Sequence, residues 1–187
     1  MVVEERRLRG VFTVLLEANS DGRGFFMRTY DRELFQKAGI DRDWVQENHS
    51  RSDRRHVIRG LHFQLPPFTE TKLVRVIRGS ILDVFVDLRK GSSTFGDWEA
   101  VELTEFEHRL LLVPRGFAHG FCTLSEESEV LYKVDSPYTP QSESGIRWND
   151  AALKINWPTN RPLMSEKDRT LNYLKEFIVK YGSLEDD

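Results

Sequence analysis

The middle of the chain constrains the fold most, because short apolar runs recur there every 8 to 15 residues. Val74 and Val76 alternate with less apolar positions, the period-two pattern of a half-buried strand, and Leu82, Val84 and Val86 continue it. The candidate strands cover 72–89 (two runs), 96–104, 108–114, 119–124 and 129–135. Short strands separated by turn clusters predict an antiparallel sandwich or jelly roll rather than alternating βαβ units.

Two helices are predicted beside these strands. One covers 31–39, with Gly39 as its end. The other runs from about 166 to 181, with Ser165 as its N-cap and an apolar stripe on one side. A length of 187 residues fits a single domain, 1–187, with its core over about 10–170.

Composition and charge exclude several classes of protein. Hydrophobic residues make up 39% of the chain and aromatic residues 11%, which argues against disorder. The net charge of -3 gives no basic excess, so we expect no nucleic-acid partner. A single cysteine, Cys122, excludes an internal disulfide. No stretch approaches the roughly 18 apolar residues that span a bilayer, and the first residues lack a signal core, so we expect a cytoplasmic protein without membrane contact.

Polar residues interrupt one of the apolar runs, "HVIRGLHFQ" (56–64). On a regular strand, His62 and Gln64 share one face, whereas Arg59 lies on the other. Arg59 and His62 can serve one site only if the strand is irregular between them, and Gly60 is where a bulge costs least. On this stretch alone, a hydrogen-bonded core histidine is the simpler interpretation of His62.

A second pattern, "PRGFAHGF" (114–121), places Pro114, Gly116 and His119 at a turn between strands. Alone, it is typical of an ordinary turn followed by a structural histidine. Together, "RGLHFQ" and "PRGFAHGF" resemble the two motifs of the cupins, which implies an all-β cupin jelly roll (double-stranded β-helix). Metal cupins usually carry a second histidine where Gln64 stands, so we expect no metal ion, and we expect His62 to act as a base.

A series of segments, which follow one another in the same order over about 10–170, resembles the dTDP-4-dehydrorhamnose 3,5-epimerase family of nucleotide-sugar epimerase cupins. They include "DGRGFF", "QENHS", "VIRGLHFQ", "KLVRVIRGSILDVFVDLR", "STFGDW", "VPRGFAHGF", "LYKV", "YTPQSESGIRWND", "INWP" and "MSEKD". The resemblance implies a cofactor-independent isomerase that inverts C3, C5 or both carbons of a nucleoside-diphosphate 4-keto-6-deoxy sugar.

The chemistry of a ketone explains the catalytic roles that the resemblance implies. A 4-keto group acidifies the hydrogens on both neighbouring carbons, so an epimerase needs a base, a proton donor on the opposite face and a group that stabilises the enolate. The resemblance makes His62 the base, Asp168 its orienting partner, Tyr132 the proton donor and Lys72 the cation at the 4-oxygen. From the residues alone, the simpler interpretation of Asp168 is a charge favoured at a helix N-terminus, and that of Tyr132 is packing on a strand.

The resemblance also implies a substrate-binding set: Arg23, Arg28, Gln46, Asn48, Arg59, His119, Glu143, Lys167 and Tyr138. It implies a homodimer, in which Arg23 and Arg28 reach the neighbouring subunit's site. The strand expected over 10–18 is suited to pairing with the partner's sheet. The family usually has glutamate at position 28, and arginine reverses the hydrogen-bond demand, which predicts a departure from thymidine preference there.

Three alternatives stay open. The first is a related cupin that acts on another nucleotide sugar or inverts one carbon only. The second is a non-catalytic sugar-nucleotide-binding cupin, which would be expected to lose the acid or the base, whereas His62, Asp168 and Tyr132 are all present. The third is a metal-dependent dioxygenase or isomerase, which a tightly bound transition metal would indicate.

Overall fold

Two facing antiparallel sheets form the body of the protein, whose structure, a computed structural model, describes residues 1–185. The six-stranded sheet has the order β1 (Val2–Glu5), β2 (Phe12–Leu15), β10 (Arg109–Val113), β7 (Lys72–Arg78), β12 (Ser128–Val134) and β5 (Gln46–Ser52). The five-stranded sheet has the order β13 (Glu143–Gly145), β6 (Ile58–Gln64), β11 (Phe117–Thr123), β8 (Ser80–Asp87) and β9 (Trp98–Thr104). A separate hairpin joins β3 (Ala18–Asp21) to β4 (Gly24–Met27). The predicted all-β jelly roll is confirmed.

The helix predicted over 31–39 is α1 (Arg32–Lys37). The Asp31 side chain caps it by accepting a hydrogen bond from the Leu34 amide at 3.2 Å. Gly39 follows with a φ of 82°, a left-handed conformation that suits glycine and ends the helix.

The single C-terminal helix expected over 166–181 is wrong, because the chain forms α2 (Glu166–Arg169) and α3 (Leu174–Tyr181). Between them, Asn172 pairs with Ile146, and the Asn172 carbonyl accepts a hydrogen bond from the Arg147 amide at 2.8 Å. The Leu174 amide then donates to Asp150 at 2.5 Å. Tertiary hydrogen bonds thus replace helical ones over four residues with weak helix propensity on average.

Buried residues fill the space between the sheets and cover both outer faces. Val74, Phe85, Phe121 and Val130 belong to the cluster between the sheets, whereas the alternating Val84 and Val86 of β8 belong to the cluster on the outer face of the five-stranded sheet. Each such side chain contributes about 1.5–3 kcal/mol when it is fully buried. Phe177 of α3 packs on the outer face of the five-stranded sheet, and Phe35 of α1 on that of the six-stranded sheet.

The strand expected over 10–18 is β2, and it pairs on both sides, with β1 and with β10. It therefore has no free edge for a partner's sheet, and that part of the prediction is wrong. Within residues 1–185, none of the helices has both the length and the apolar character needed to cross a membrane. The single domain over 1–187 stays a prediction.

Candidate active site

An irregularity in β6 brings Arg59 and His62 to the same side of the sheet. His62 pairs with His119 and Arg59 with Phe121, so three residues on β6 advance while β11 advances two. Gly60 lies at this bulge with a φ of 124°, and an added Cβ would stand 2.6 Å from Cα of Gly120. Only glycine fits there, and the bulge expected at Gly60 is confirmed.

The bulge opens onto a cavity of about 440 Å³ between the two sheets. Apolar side chains line part of this cavity, and a set of polar and charged side chains lines the rest. The polar lining residues are Ser50, Arg59, His62, Lys72, His119, Tyr132, Glu143, Ser165, Lys167 and Asp168. Side chains far apart in the sequence, from both sheets and from α2, therefore meet at one site.

His62 and Asp168 form a hydrogen-bonded pair, with 2.7 Å between Nε2 and Oδ1. The second carboxylate oxygen accepts from the Gly60 amide at 3.3 Å, and the Ser165 hydroxyl accepts from the Asp168 amide at 3.1 Å. Burial raises the pKa of Asp168, but the hydrogen bond from His62, the charge of its imidazolium form and the hydrogen bonds with Gly60 and Ser165 outweigh burial and leave this pKa lowered. Because a carboxylate only accepts, Nε2 carries the hydrogen and the neutral imidazole keeps its lone pair on Nδ1.

His119 is held in the same manner by Asp83, a residue that sequence reasoning missed. Nε2 of His119 lies 2.9 and 3.0 Å from the two carboxylate oxygens. The Asp83 side chain is fully buried, and this burial raises its pKa despite the opposing effect of His119. An aspartate in the middle of an apolar strand was the available signal, since such a group needs a buried partner.

Tyr132 and Lys72 enter the cavity from the six-stranded sheet, opposite the two histidines. Burial raises the pKa of Tyr132, and the carboxylates of Glu70 and Glu143 raise it further against the opposing charge of Arg59. Lys72 is buried and forms an ion pair with Glu70, a second residue that sequence reasoning missed.

A smaller cavity of about 280 Å³ continues the site past His62, Lys72 and Tyr132. Its lining also includes Gln46, Asn48, Gln64, Glu70, Tyr138 and Glu143. Glu143 accepts a hydrogen bond from the Tyr138 hydroxyl at 2.6 Å and forms an ion pair with Lys167. Burial raises the pKa of Glu143, but hydrogen bonds from Lys167 and Tyr138 leave it lowered.

Three further residues of the predicted set have distinct surroundings. Arg59 donates to the Arg51 carbonyl at 2.9 Å and still lines the larger cavity. Arg23 and Arg28 lie outside both cavities of their own chain: they pair with Asp21 at 2.6 Å and with Asp31 at 2.9 Å. The Arg23 side chain is 90% exposed, so neither arginine joins the site formed by this chain alone.

Comparisons with known proteins agree with this arrangement. A family model described as dTDP-4-dehydrorhamnose 3,5-epimerase matches residues 5–176. A relative of that name from Shigella flexneri is 48% identical over 149 residues, which cover 79% of this chain and 82% of the relative. The crystal structure of the Bacillus anthracis str. Ames protein of that name, with TDP and PPi bound, matches with a TM-score of 0.91 and 44% identity, over 92% of this chain and 99% of that chain.

A third comparison is with the dTDP-6-deoxy-D-glucose-3,5-epimerase of Legionella pneumophila Philadelphia 1, solved in complex with dTDP-4-keto-L-rhamnose. It has a TM-score of 0.92 and 34% identity, over 100% of this chain and 98% of that chain. The match thus extends over the sheets, the hairpin and the C-terminal helices. The resemblance stated from the ordered segments is confirmed, and the chain belongs to the dTDP-4-dehydrorhamnose 3,5-epimerase family.

Proposed function

We propose that the chain is a cofactor-independent carbohydrate epimerase that inverts C3 and C5 of a dTDP-4-keto-6-deoxyhexose. The observation that carries the proposal is the position of two proton-transfer groups on opposite walls of one cavity. The His62–Asp168 pair lies on the side of the five-stranded sheet, and Tyr132 lies on the six-stranded sheet. A sugar ring bound between the sheets has one face toward each group.

The reaction proceeds at each carbon by removal and return of a proton. His62 takes the hydrogen from the carbon beside the ketone, and the electron pair moves to the 4-oxygen to give an enolate. Lys72 stabilises that oxygen with its charge. His119 binds the sugar by accepting a hydrogen bond from a hydroxyl group at Nδ1, because its Nε2 faces Asp83. Tyr132 then gives its proton to the opposite face, which inverts the carbon, and solvent restores the protonation of both groups.

Asp168 acts through His62 rather than on the substrate. Its lowered pKa keeps the carboxylate charged, so it favours the imidazolium that forms when His62 accepts a proton. The same hydrogen bond fixes the tautomer in which Nδ1 is the basic nitrogen.

In this proposal, the diphosphate and the nucleoside lie against polar side chains that line the two cavities. Arg59 presents the planar guanidinium that suits a phosphate oxygen pair, and Lys167 adds a second positive charge. Gln46 and Asn48, whose side-chain amides are 2.9 Å apart, offer donors and acceptors to the nucleoside, together with Tyr138 and Glu143. A calorimetric comparison of dTDP, UDP, CDP and GDP, repeated in Arg28→Glu, tests whether Arg28 changes the base preference.

We also propose a homodimer that works in the cytoplasm. The β3–β4 hairpin carries Arg23 and two aromatic side chains, Phe25 and Phe26, which are 59% and 70% exposed. Adjacent exposed aromatic residues beside an arginine are typical of an interaction surface. In the dimer, this hairpin brings Arg23 and Arg28 to the partner's nucleotide. Light scattering that gives the mass of one chain at micromolar concentration would contradict this arrangement.

Incubation with dTDP-4-keto-6-deoxyglucose in deuterated water tests the activity itself. We expect a product of inverted configuration that carries deuterium at C3 and C5, observed by NMR of the ring positions. Deuterium at one carbon only would show that the protein is an epimerase of that single carbon. Neither deuterium nor inversion would refute the proposal.

A further inference from the structure

Glu70 is a partly buried carboxylate beside the proposed catalytic groups. It forms an ion pair with Lys72, and its side chain and that of Lys72 are 13% and 9% exposed. Its other oxygen accepts a hydrogen bond from Nε2 of Gln64 at 3.2 Å. Both oxygens of Glu70 therefore have partners, one of which is the lysine that faces the cavity.

Gln64 is itself fixed by backbone groups from two loops. Its Nε2 donates to the Phe68 carbonyl at 3.0 Å and lies 3.2 Å from the Pro137 carbonyl. Its Oε1 accepts from the Thr139 amide at 2.6 Å. Glu70 is thus held against a side chain that cannot turn without breaking these bonds. This also gives Gln64, at the position where metal cupins have a histidine, a structural role.

A lysine needs such a partner if it is to act at one point. Its ammonium lies at the end of a flexible four-carbon stem and donates in any direction, so its position depends on what accepts its hydrogens. Near Lys72, Glu70 is the carboxylate that does so. We propose that Glu70 is a positioning residue for the epimerisation: it holds the Lys72 ammonium where the 4-oxygen of the enolate forms.

Glu70 has a second effect, on Tyr132, which is independent of its contact with Lys72. The charged groups that act on the Tyr132 hydroxyl are Glu70, Glu143 and Arg59, and His62 and Lys72 line the same cavity. After burial, Glu70 is the largest of the influences that raise the Tyr132 pKa. Loss of this charge consequently favours ionisation of the phenol, so the Tyr132 titration reports whether the Glu70 charge acts inside the cavity.

A double-mutant cycle tests the inference, which rests on the proposed function. Lys72→Ala should lower kcat by about 10²–10³-fold, the usual cost of removing one oxyanion-stabilising donor. Glu70→Ala should lower kcat by about ten- to hundredfold through misplacement of the ammonium, with little change in KM. In the Lys72→Ala background, Glu70→Ala should cost less than about twofold, because the group that it positions is gone. Glu102→Ala, an exposed carboxylate on β9, is the matched control.

The outcomes separate the inference from the proposed function. If Lys72→Ala leaves kcat unchanged, the proposed role of Lys72 fails, and the role of Glu70 fails with it. If Lys72→Ala is severe but Glu70→Ala is neutral, or costs the same factor in both backgrounds, only the inference is overturned.

Glu70→Gln keeps the size of the side chain, so the test survives if Glu70→Ala does not fold. It should lower kcat and move the alkaline ionisation of Tyr132 to lower pH. Ultraviolet absorbance of the phenolate measures this ionisation, with Tyr132→Phe identifying the signal. An unchanged kcat in Glu70→Gln overturns the inference, whatever the Tyr132 titration shows, because that titration reports only the charge of Glu70.

Discussion

Substitution of Gly60 tests whether the bulge in β6 holds the site together. In Gly60→Ala, the new Cβ would stand 2.6 Å from Cα of Gly120 and 2.8 Å from the His119 carbonyl oxygen. Both contacts are with backbone, so neither can be relieved by a change of rotamer. The φ of 124° adds a conformational cost that a side chain rarely tolerates.

The two costs add to a measurable loss of stability. A left-handed backbone costs an L-residue about 1–2 kcal/mol, and overpacking costs about 1–3 kcal/mol, so Gly60→Ala should destabilise the fold by about 2–5 kcal/mol. Gly39→Ala is the control, because Gly39 has a φ of 82° but no atom within 4 Å of an added Cβ. Urea denaturation of both variants measures the difference. A free energy of unfolding for Gly60→Ala within about 0.5 kcal/mol of that for Gly39→Ala would refute the steric argument.

Two further substitutions address buried charges. Arg89→Ala should destabilise the fold by about 3–5 kcal/mol, because it leaves the fully buried Asp87 carboxylate without the guanidinium that contacts both of its oxygens. Asp168→Asn should slow hydrogen exchange and inversion together by about 10²–10⁴-fold, since His62 loses its charged partner. Because its pKa is lowered in the folded protein, ionised Asp168 stabilises the fold at any pH above its unfolded pKa, near 4. This stabilisation is lost as the pH falls from about 4 through the lower pKa of the folded state. Asp168→Asn lacks it, so the free energy of unfolding of this variant should decrease less steeply than that of the wild type below about pH 4.

Each of these has a contrary result. A loss below about 1 kcal/mol in denaturation of Arg89→Ala is the value for an exposed ion pair and would show that Asp87 finds other partners. Asp168→Asn that retains wild-type exchange, or that follows the wild-type stability curve in acid, would show that the carboxylate does not act on His62.

The sequence predicted the parts of the fold that depend on local pattern. Val74 and Val76 alternate because their strand has one face in the core between the sheets, and that alternation is visible in the residues. The bulge was also predictable, since Gly60 separates two polar side chains that a regular strand would point in opposite directions. The C-terminal helix was not, because its interruption depends on pairing of Asn172 with Ile146, far away in the sequence.

Part of the candidate site could likewise be predicted from the sequence, and part could not. The family resemblance indicated His62, Asp168, Tyr132 and Lys72, and the structure brings them to one cavity. The partners Asp83 and Glu70 were missed. Asp83 carried a signal, because it lies in the middle of an apolar strand, but its partner His119 is far away in the sequence. Glu70 carried none, because a glutamate two residues from a lysine is equally typical of an exposed ion pair. Arg23 and Arg28 remain apart from the site of their own chain, as expected if a second chain is needed to use them.

The central claim is that His62 and Tyr132 work on opposite faces of the sugar, and hydrogen–deuterium exchange tests it most directly. His62→Ala should abolish exchange at both ring carbons, because no enolate forms without the base. Tyr132→Phe should behave differently: His62 still removes the proton and deuterium returns to the same face, so exchange continues while inversion fails. NMR of the ring positions in deuterated water records both events. If Tyr132→Phe loses exchange and inversion in equal proportion, or if His62→Ala exchanges normally, the two-face arrangement is contradicted.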